Sequence, residues 1–119
     1  KILLNMKNEY IYKILTYSEF ENLKGNDYFF GTEKDVKDGF IHFSKKEQLI
    51  GTLKKYFKNQ RELILLKVSI IDLKNLKWEQ SSDGQIFPHL YSKLNCKKII
   101  ENFKIIENKD GSFTLPSYC

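Results

Sequence analysis

The sequence predicts an α+β fold in which short strands outnumber helices. Residues 63–71, LILLKVSII, form a nearly unbroken aliphatic run that is typical of a strand buried in the middle of a sheet. Two residue pairs have the spacing of a helix capping box, Thr16 with Glu19 and Ser44 with Glu47, and each predicts the start of a helix. Because strands and helices follow one another in a mixed order, the expected class is α+β.

The chain is expected to begin with a strand and a short helix. Residues 10–15, YIYKIL, predict the strand, and the capping box at Thr16 with a later glycine stop predicts a helix over residues 17–24. Residues 26–39 are rich in Asp, Lys and Gly and are predicted to form a loop. Aromatic side chains at residues 28–30 need cover, so this loop is expected to fold back over the body of the protein.

A second strand and a second helix are expected next. Residues 40–43 predict a short strand, and Ser44 is predicted to cap the helix that follows. That helix is predicted from an apolar stripe at helical spacing, with lysines at the positions between. The stripe consists of Leu49, Ile50, Leu53, Tyr56 and Phe57.

The C-terminal half is predicted to consist mainly of strands. After residues 63–71, a shorter strand is expected at residues 76–80, and Pro88 is expected to break the sheet ladder within FPHLY. Residues 98–106 and the later SFTL fit a hairpin closed by an Asp-Gly turn. The apolar residues of 98–106 also fit a helix, but the Asp-Gly turn favours strands.

Length and composition predict one domain, and the lack of a visible targeting segment predicts a cytoplasmic location. With 119 residues, 41% of them hydrophobic, the chain can form a single core spanning residues 1–119. Residues 1–9 are a candidate tail, and Met6 is a candidate natural start. The N-terminal apolar run at residues 2–4 is too short for a signal peptide or a membrane span, so no membrane partner is expected.

The positive charge raises the question of an anionic partner. The net charge is +5, but the lysines are scattered over every segment, and Arg61 is the only arginine that could make bidentate phosphate contacts. A solvated lysine-rich surface explains this pattern better than a dedicated nucleic-acid face. Nucleic acid is therefore a weakly supported partner, and no feature indicates the oligomeric state.

The two histidines are the residues best suited to chemistry. His42 lies in DGFIHFS, where strand alternation puts it on the same side as Phe40 and Ser44, and His89 lies in FPHLY between aromatic residues. A histidine can donate or accept a proton near neutral pH, so the pair invites an acid–base interpretation. The alternative for each is a hydrogen-bonded structural residue on a half-buried strand.

Glu79 is the carboxylate considered together with these histidines. It follows Trp78 in a predicted strand, so if Trp78 enters the core, Glu79 is presented on the opposite face; the alternative is an ordinary surface glutamate. Two histidines and a carboxylate can bind a transition metal. No His-x-His or His-xxx-His spacing is present, and Cys96 and Cys119 form no CxxC pair, so no metal site is predicted.

Several motifs together resemble the domain of unknown function 952 family. They are IYKI, DGFIHFS followed by Gln48, LILL, LKWE, FPHLY and DGSFTLP. The resemblance runs over about residues 11–116, and the pair DGFIHFS and FPHLY is its most specific part. Because that family is uncharacterised, the resemblance predicts a fold more directly than a function.

The resemblance implies a fold similar to that of the ADP-ribosyltransferase superfamily. This fold is a split, twisted, mostly antiparallel sheet with two helices around a nucleotide cleft. In those enzymes a strand-borne histidine or arginine contacts NAD, and a glutamate on a later strand stabilises the cation formed as nicotinamide leaves. The matching residues are His42 for the first role and Glu79 for the second. Phe43 stands where a glycine is common, and the usual aromatic residue has no clear counterpart.

The predicted site combines both lines of reasoning. The catalytic residues are predicted to be His42, Glu79 and His89, and the ligand-binding residues Phe40, Ser44, Gln48, Phe87 and Tyr91. The leading prediction is a small enzyme of ADP-ribosyltransferase-like type with NAD or a related nucleotide as substrate and no other cofactor. The alternative is a non-catalytic module for a nucleotide, nucleic acid or peptide, which needs only shape and stacking surface. Both predict that the histidines and Glu79 border one concave site.

Overall fold

The computed structural model describes residues 9–119, which form eight strands and three α-helices. The candidate tail and the candidate start at Met6 lie outside the described residues, apart from Glu9. Every strand pairing in the described part is antiparallel, so the predicted α+β class is confirmed. Within residues 9–119, no helix combines the length and the apolar composition that crossing a bilayer requires.

The elements follow one another in the mixed order expected of this class. In chain order they are β1 Tyr10–Thr16, α1 Tyr17–Leu23, β2 Tyr28–Phe29, α2 Glu33–Asp38, β3 Ile41–His42, α3 Leu49–Tyr56, β4 Glu62–Ser69, β5 Leu76–Gln80, β6 Ile86–Leu90, β7 Leu94–Asn95 and β8 Ile99–Ile106. Short 3-10 turns at Lys46–Gln48 and Cys96–Lys98 lead into α3 and β8.

The central sheet has the order β1-β4-β8, so the predicted aliphatic strand β4 is indeed the middle one. Its side chains alternate between two hydrophobic clusters, one on each face of the sheet. Leu63 and Leu65 pack on the face that α3 covers with Leu49 and Leu53. The other cluster contains Ile64, Leu66, Val68, Ile11, Leu15, Ile41, Phe43 and Leu90.

A second three-stranded sheet has the order β3-β6-β5 and is joined to the central sheet by residues 41–44. Ile41 and His42 pair with β6, whereas Ser44 exchanges two backbone hydrogen bonds with Tyr12 of β1, at 2.8 and 2.9 Å. Four consecutive residues therefore connect the two sheets. A small third sheet pairs β2 with β7.

Pro88 lies inside a sheet, and the ladder between β6 and β5 continues through it, so the prediction that it breaks the ladder is wrong on that side and holds only towards β3. It belongs to β6, the middle strand of its sheet, and its carbonyl oxygen accepts a hydrogen bond from the Phe43 amide at 3.0 Å. In an antiparallel strand the N–H and C=O of a residue point to the same neighbour. Since proline has no N–H to offer in return, the pairing on this side stops and β3 ends at His42.

The predicted loop at residues 26–39 contains a third helix, where two helices were expected. Thr32 caps α2 and forms a capping box with Asp35. Gly39 then ends the helix in a left-handed conformation, with φ of 91°. Only Val36 is hydrophobic in this helix, so no apolar stripe marks it in the sequence.

Three other expectations need correction. Ser44 does not cap a helix, because its backbone is used in the bridge to Tyr12 and its hydroxyl contacts Thr52 at 3.1 Å. Trp78 is 44% exposed and does not enter the core, so the two faces of β5 are not divided as expected. The C-terminal hairpin has its turn at the Asp-Gly pair, but its second strand is reduced to a single bridge, Glu107 with Phe113.

Candidate functional site

The two sheets and the helices α2 and α3 enclose a cleft of about 810 Å³. This volume is within the usual range for small-molecule sites. Six of the predicted site residues line the cleft: Phe40, His42, Ser44, Gln48, Phe87 and His89. The other two, Glu79 and Tyr91, do not line it but lie behind His89.

The register of β3 on β6 brings the two histidines together. His42 is directly opposite His89 in the antiparallel pair, so both side chains project from the same face of the sheet. Their ring centres are 5.6 Å apart, and the rings are nearly perpendicular. Phe40 contacts both, with its ring centre 4.1 Å from His89 and 4.5 Å from His42. One wall of the cleft is therefore an aromatic surface with two imidazoles.

His42 is held by two carboxylates. Its Nδ1 is 2.6 Å from Oδ1 of Asp35, and its Nε2 is 3.0 Å from Oδ2 of Asp38. Because a carboxylate has no proton to give, each contact is a hydrogen bond only when the ring nitrogen carries the proton. The two carboxylates therefore fix the orientation of the His42 ring.

Asp35 is the centre of a buried network beneath His42. Its side chain is 2% exposed and also accepts hydrogen bonds from the backbone of Thr32 and His42. Burial by itself would raise the pKa of Asp35, but the hydrogen bond from His42 and the positive charge of Lys13 outweigh burial and hold the pKa well below its usual range. Asp35 is therefore ionised throughout the neutral range.

Lys13 is the cation that balances Asp35. It lies in the middle of β1, its amino group is 3.0 Å from Oδ2 of Asp35, and it also donates a hydrogen bond of 2.8 Å to the carbonyl of His42. Burial lowers the pKa of Lys13, an effect that the Asp35 charge opposes. Lys13 thus contacts both the carboxylate that holds the His42 ring and the His42 backbone.

His89 has a carboxylate partner of its own. Oε1 of Glu79 is 2.8 Å from Nδ1 of His89 and also accepts a 2.7 Å hydrogen bond from the hydroxyl of Tyr91. The hydrogen bonds from Tyr91 and His89 lower the pKa of the Glu79 carboxyl group. With Nδ1 occupied in this way, a neutral His89 keeps the lone pair on Nε2. No hydrogen bond within residues 9–119 uses that Nε2 atom.

The remaining predicted ligand residues form other parts of the cleft wall. Gln48 is buried, accepts from the Lys45 amide at 2.8 Å and donates to the Ile86 carbonyl at 2.8 Å, so it joins α3 to β6. Ser44 is buried beside Thr52. Phe87 has its side chain on the same face of β6 as His89. Their role in binding stays a prediction.

Sequence reasoning missed the two residues that support His42 from below. The signal for Asp35 was present, because Thr32 and Asp35 have the same capping-box spacing that identified Thr16 and Glu19. No pattern marks Lys13, since a lysine within an apolar strand reads as an outward-facing residue. Its amino group is buried against Asp35 of α2 and the His42 carbonyl, and the sequence does not reveal that these groups meet it.

The described residues offer no site for a metal ion. In residues 9–119, no three His, Cys, Asp or Glu side chains are grouped closely enough to ligate one. The site chemistry available from the protein itself is proton transfer by the imidazoles, each beside a carboxylate, together with stacking on aromatic rings.

Comparison with known proteins adds a family and several solved relatives. Residues 14–102 match the model of a family described as "Protein of unknown function (DUF952)". The crystal structure of protein CC0527 from Caulobacter crescentus is 39% identical, with 89% of this chain and 94% of that chain covered and a TM-score of 0.82. The crystal structure of a CC0527 double mutant gives 38% identity with the same coverages and TM-score. The solution NMR structure of CC0527 gives 39% identity, with 87% of this chain and 90% of that chain covered and a TM-score of 0.77. No functionally curated protein shows significant similarity.

Proposed function

The chain belongs to the DUF952 family, whose function is unknown. We propose that the cleft binds a nucleotide and that His42 and His89 carry out acid–base chemistry on it. The observation that carries this proposal is the pair of carboxylate-supported imidazoles on one wall of a cleft of nucleotide size. A site that only binds has no need to fix the ring nitrogens of two histidines. Such fixing is common where histidines transfer protons.

The roles of the two histidines differ in this proposal. His89 is the general base, because Glu79 occupies its Nδ1 and leaves the lone pair of Nε2 available. His42 is fixed at Nδ1 by Asp35 and donates from Nε2 to an electron-rich group of the ligand, which replaces Asp38 as the acceptor. Glu79 is a positioning residue, since it touches His89 and does not line the cleft.

The specific reaction that we propose is ADP-ribosyl transfer from NAD, in line with the resemblance to ADP-ribosyltransferases. The bond between the ribose C1′ and the nicotinamide nitrogen breaks, and a bond forms between C1′ and an acceptor oxygen. His89 accepts the proton of the acceptor at Nε2. Phe40 is stacked on His89 with one face, and its other face gives the nicotinamide or the adenine a ring to stack on.

A non-catalytic binding module is the second candidate, and one observation favours it. The resemblance assigns Glu79 to stabilising the cation formed as nicotinamide leaves, yet its carboxylate contacts Tyr91 and His89 outside the cleft. A cleft without that carboxylate can still bind a nucleotide by stacking and shape. Binding without turnover is the outcome expected for this candidate.

The test measures binding and turnover on the same protein. Thermal shift with NAD, ADP-ribose and 2′-phosphorylated nucleotides identifies a ligand, since a ligand of the folded state raises the melting temperature. Nicotinamide release from NAD is then followed by chromatography. We expect His89→Ala to lower the release rate by about 100-fold or more, the usual contribution of a general base. Binding with no nicotinamide release would favour the binding module.

A matched pair of variants controls the stacking role. Phe40→Ala should abolish most of the ligand-induced thermal shift, because the ring contacts His42 and His89 in the cleft. Phe30→Ala removes the same side chain from a position that is 67% exposed and outside the cleft lining, so it should leave the shift unchanged. Equal shifts in the two variants would contradict binding at this wall.

A further inference from the structure

The α3 helix presents a polar stripe to the cleft that the proposed roles do not use. Gln48, Gly51, Thr52 and Lys55 recur at helical spacing and all line the cleft, and we call them the α3 stripe. Leu49 and Leu53, on another side of the same helix, are buried in the core. The helix therefore packs against the sheet with one face and contributes a second wall to the cleft with another.

Gly51 is unusual for its position in this helix. Alanine is a better helix former than glycine, so an interior glycine needs a reason. A side chain at Gly51 would meet no atom within 4 Å, and its φ lies outside the left-handed region that favours glycine. Neither packing nor backbone conformation explains the residue. The missing side chain leaves open space beside the helix backbone, inside the cleft.

Thr52 and Ser44 supply a hydroxyl group beside that space. Their oxygens are 3.1 Å apart, so one hydroxyl donates to the other. A pair of hydroxyls has two protons and uses only one of them in this bond. The second proton can be donated to an acceptor in the cleft, which both residues line.

Lys55 is the lining cation with the most freedom to pair with a ligand. Lys13 is committed to Asp35 and Lys34 to Asp38, whereas Lys55 has no carboxylate within 4.0 Å among residues 9–119. Its amino group instead lies 5.3 Å from the ring centre of Tyr56. A lysine ammonium group with free donors is a common partner for phosphate.

The carboxylates that line the cleft are largely engaged elsewhere. Asp35 is neutralised by Lys13, and Glu19 accepts from the Thr16 amide in its capping box. Asp83 is bonded to Ser81 and Gln85 in its own turn, and Glu47 lies 3.9 Å from Lys45. Each of these carboxylates therefore has a hydrogen-bond or ion-pair partner of its own, while Lys55 forms no ion pair and acts on Asp83 only from beyond 4.0 Å.

From these observations we propose that the α3 stripe is the diphosphate-binding wall of the cleft. Lys55 pairs with a phosphate oxygen, the hydroxyl pair of Ser44 and Thr52 donates to another, and the space at Gly51 lets the ligand lie against the helix. The adenosine and the rest of the nucleotide then reach the histidine wall. Only this last placement rests on the proposed function, because the wall itself offers a cation and a hydroxyl donor to any diphosphate group.

The test compares three probes on matched variants by calorimetric titration. The probes are inorganic pyrophosphate, ADP-ribose and adenosine, which carries no phosphate. Lys55→Ala and Lys54→Ala remove the same charge from the same helix, but only Lys55 lines the cleft. We expect Lys55→Ala to weaken pyrophosphate and ADP-ribose by about tenfold, equivalent to about 1.4 kcal/mol. Lys54→Ala should change them less than about twofold, and adenosine should be unaffected by either.

Gly51→Ala separates a loss of binding from a loss of stability, because the two are expected to change in opposite directions. Alanine should raise the melting temperature of the free protein by roughly 4 °C, because it favours the helix. The same variant should weaken pyrophosphate by about tenfold, since its methyl group enters the cleft. A more stable protein with undiminished pyrophosphate affinity would contradict close approach at Gly51 and overturn the proposal.

The remaining outcomes separate this proposal from the proposed function. Equal effects of Lys55→Ala and Lys54→Ala, or no binding of pyrophosphate by the unaltered protein, overturn the diphosphate wall. Nicotinamide release that depends on His89 would still support the enzyme in that case. Conversely, a Lys55-dependent affinity for pyrophosphate without nicotinamide release supports the wall and removes the transferase reaction.

Discussion

A lysine in the middle of a buried strand requires a partner, and Lys13 has one in Asp35. Removing one member of a buried ion pair is costly because the other charge stays behind in a poorly hydrated site. Asp35→Asn should therefore lower the free energy of unfolding by about 3 kcal/mol, measured by urea denaturation. It should also release the ring of His42 from its 2.6 Å contact.

Asp38→Asn is the matched control for that substitution. It removes the other carboxylate beside His42, but Asp38 is more exposed than Asp35, with 33% against 2% of its side chain accessible. Its loss should change the free energy of unfolding far less than that of Asp35. Equal losses from the two variants would show that burial of the Lys13 charge is not what makes Asp35 important.

Glu79 determines which nitrogen of a neutral His89 carries the proton. Its carboxylate accepts from Nδ1, so Glu79→Ala should move neutral His89 from the Nδ1–H form towards the Nε2–H form. Nitrogen chemical shifts in NMR spectra distinguish the two forms. Lys77→Ala, which changes the residue directly opposite His89 on β5, should leave the tautomer as it is.

Residue patterns identified His42 and His89 but not what holds them. Strand alternation correctly separates His42 from the buried Ile41 and Phe43, because it depends only on local geometry. The facing of His42 and His89 depends on strand register, which distant residues decide. The contact between Lys13 and Asp35 depends on where α2 lies in the fold, which the sequence does not reveal either.

The segment before α3 does not form the helix start capped by Ser44 that the sequence predicts. Ser44 is buried and bonded through its hydroxyl to Thr52, so a carboxylate there would lose water without gaining a helix to cap. Ser44→Asp should therefore lower the unfolding free energy by more than about 2 kcal/mol. Thermal unfolding followed by circular dichroism measures this loss. Stability equal to that of the parent protein would restore the helix-cap interpretation.

Elements were predicted well where a periodic pattern exists and poorly where one is lacking. The strand β5 has the predicted bounds. The bounds of β1 and β4 differ from the prediction by one or two residues, because aliphatic runs mark these two strands. The helix α2 has one hydrophobic residue and went unrecognised. Two of the apolar residues expected to face the core from α3, Ile50 and Tyr56, are exposed, whereas Leu49 and Leu53 are buried.

Acid should destabilise the whole fold through Asp35. Its pKa in the folded protein is below the value of about 3.9 expected in an unfolded chain. The stability that follows from this difference is complete above about pH 4 and is lost as the pH falls towards the folded value. The unfolding free energy of Asp35→Asn should therefore fall less steeply than that of the parent protein between about pH 4 and pH 2, in denaturant titrations at each pH.

Residues 41–44 join the two three-stranded sheets that border the cleft. His42 and Ser44 lie on the same short segment, one paired with β6 and the other with β1. Because Pro88 has no N–H to pair with Phe43, the chain leaves β6 at this point and crosses to β1. Spreading the sheets apart would pull directly on the backbone of His42. For the proposed function, this link implies a cleft that does not widen freely, so a nucleotide has to fit the existing distance between the sheets.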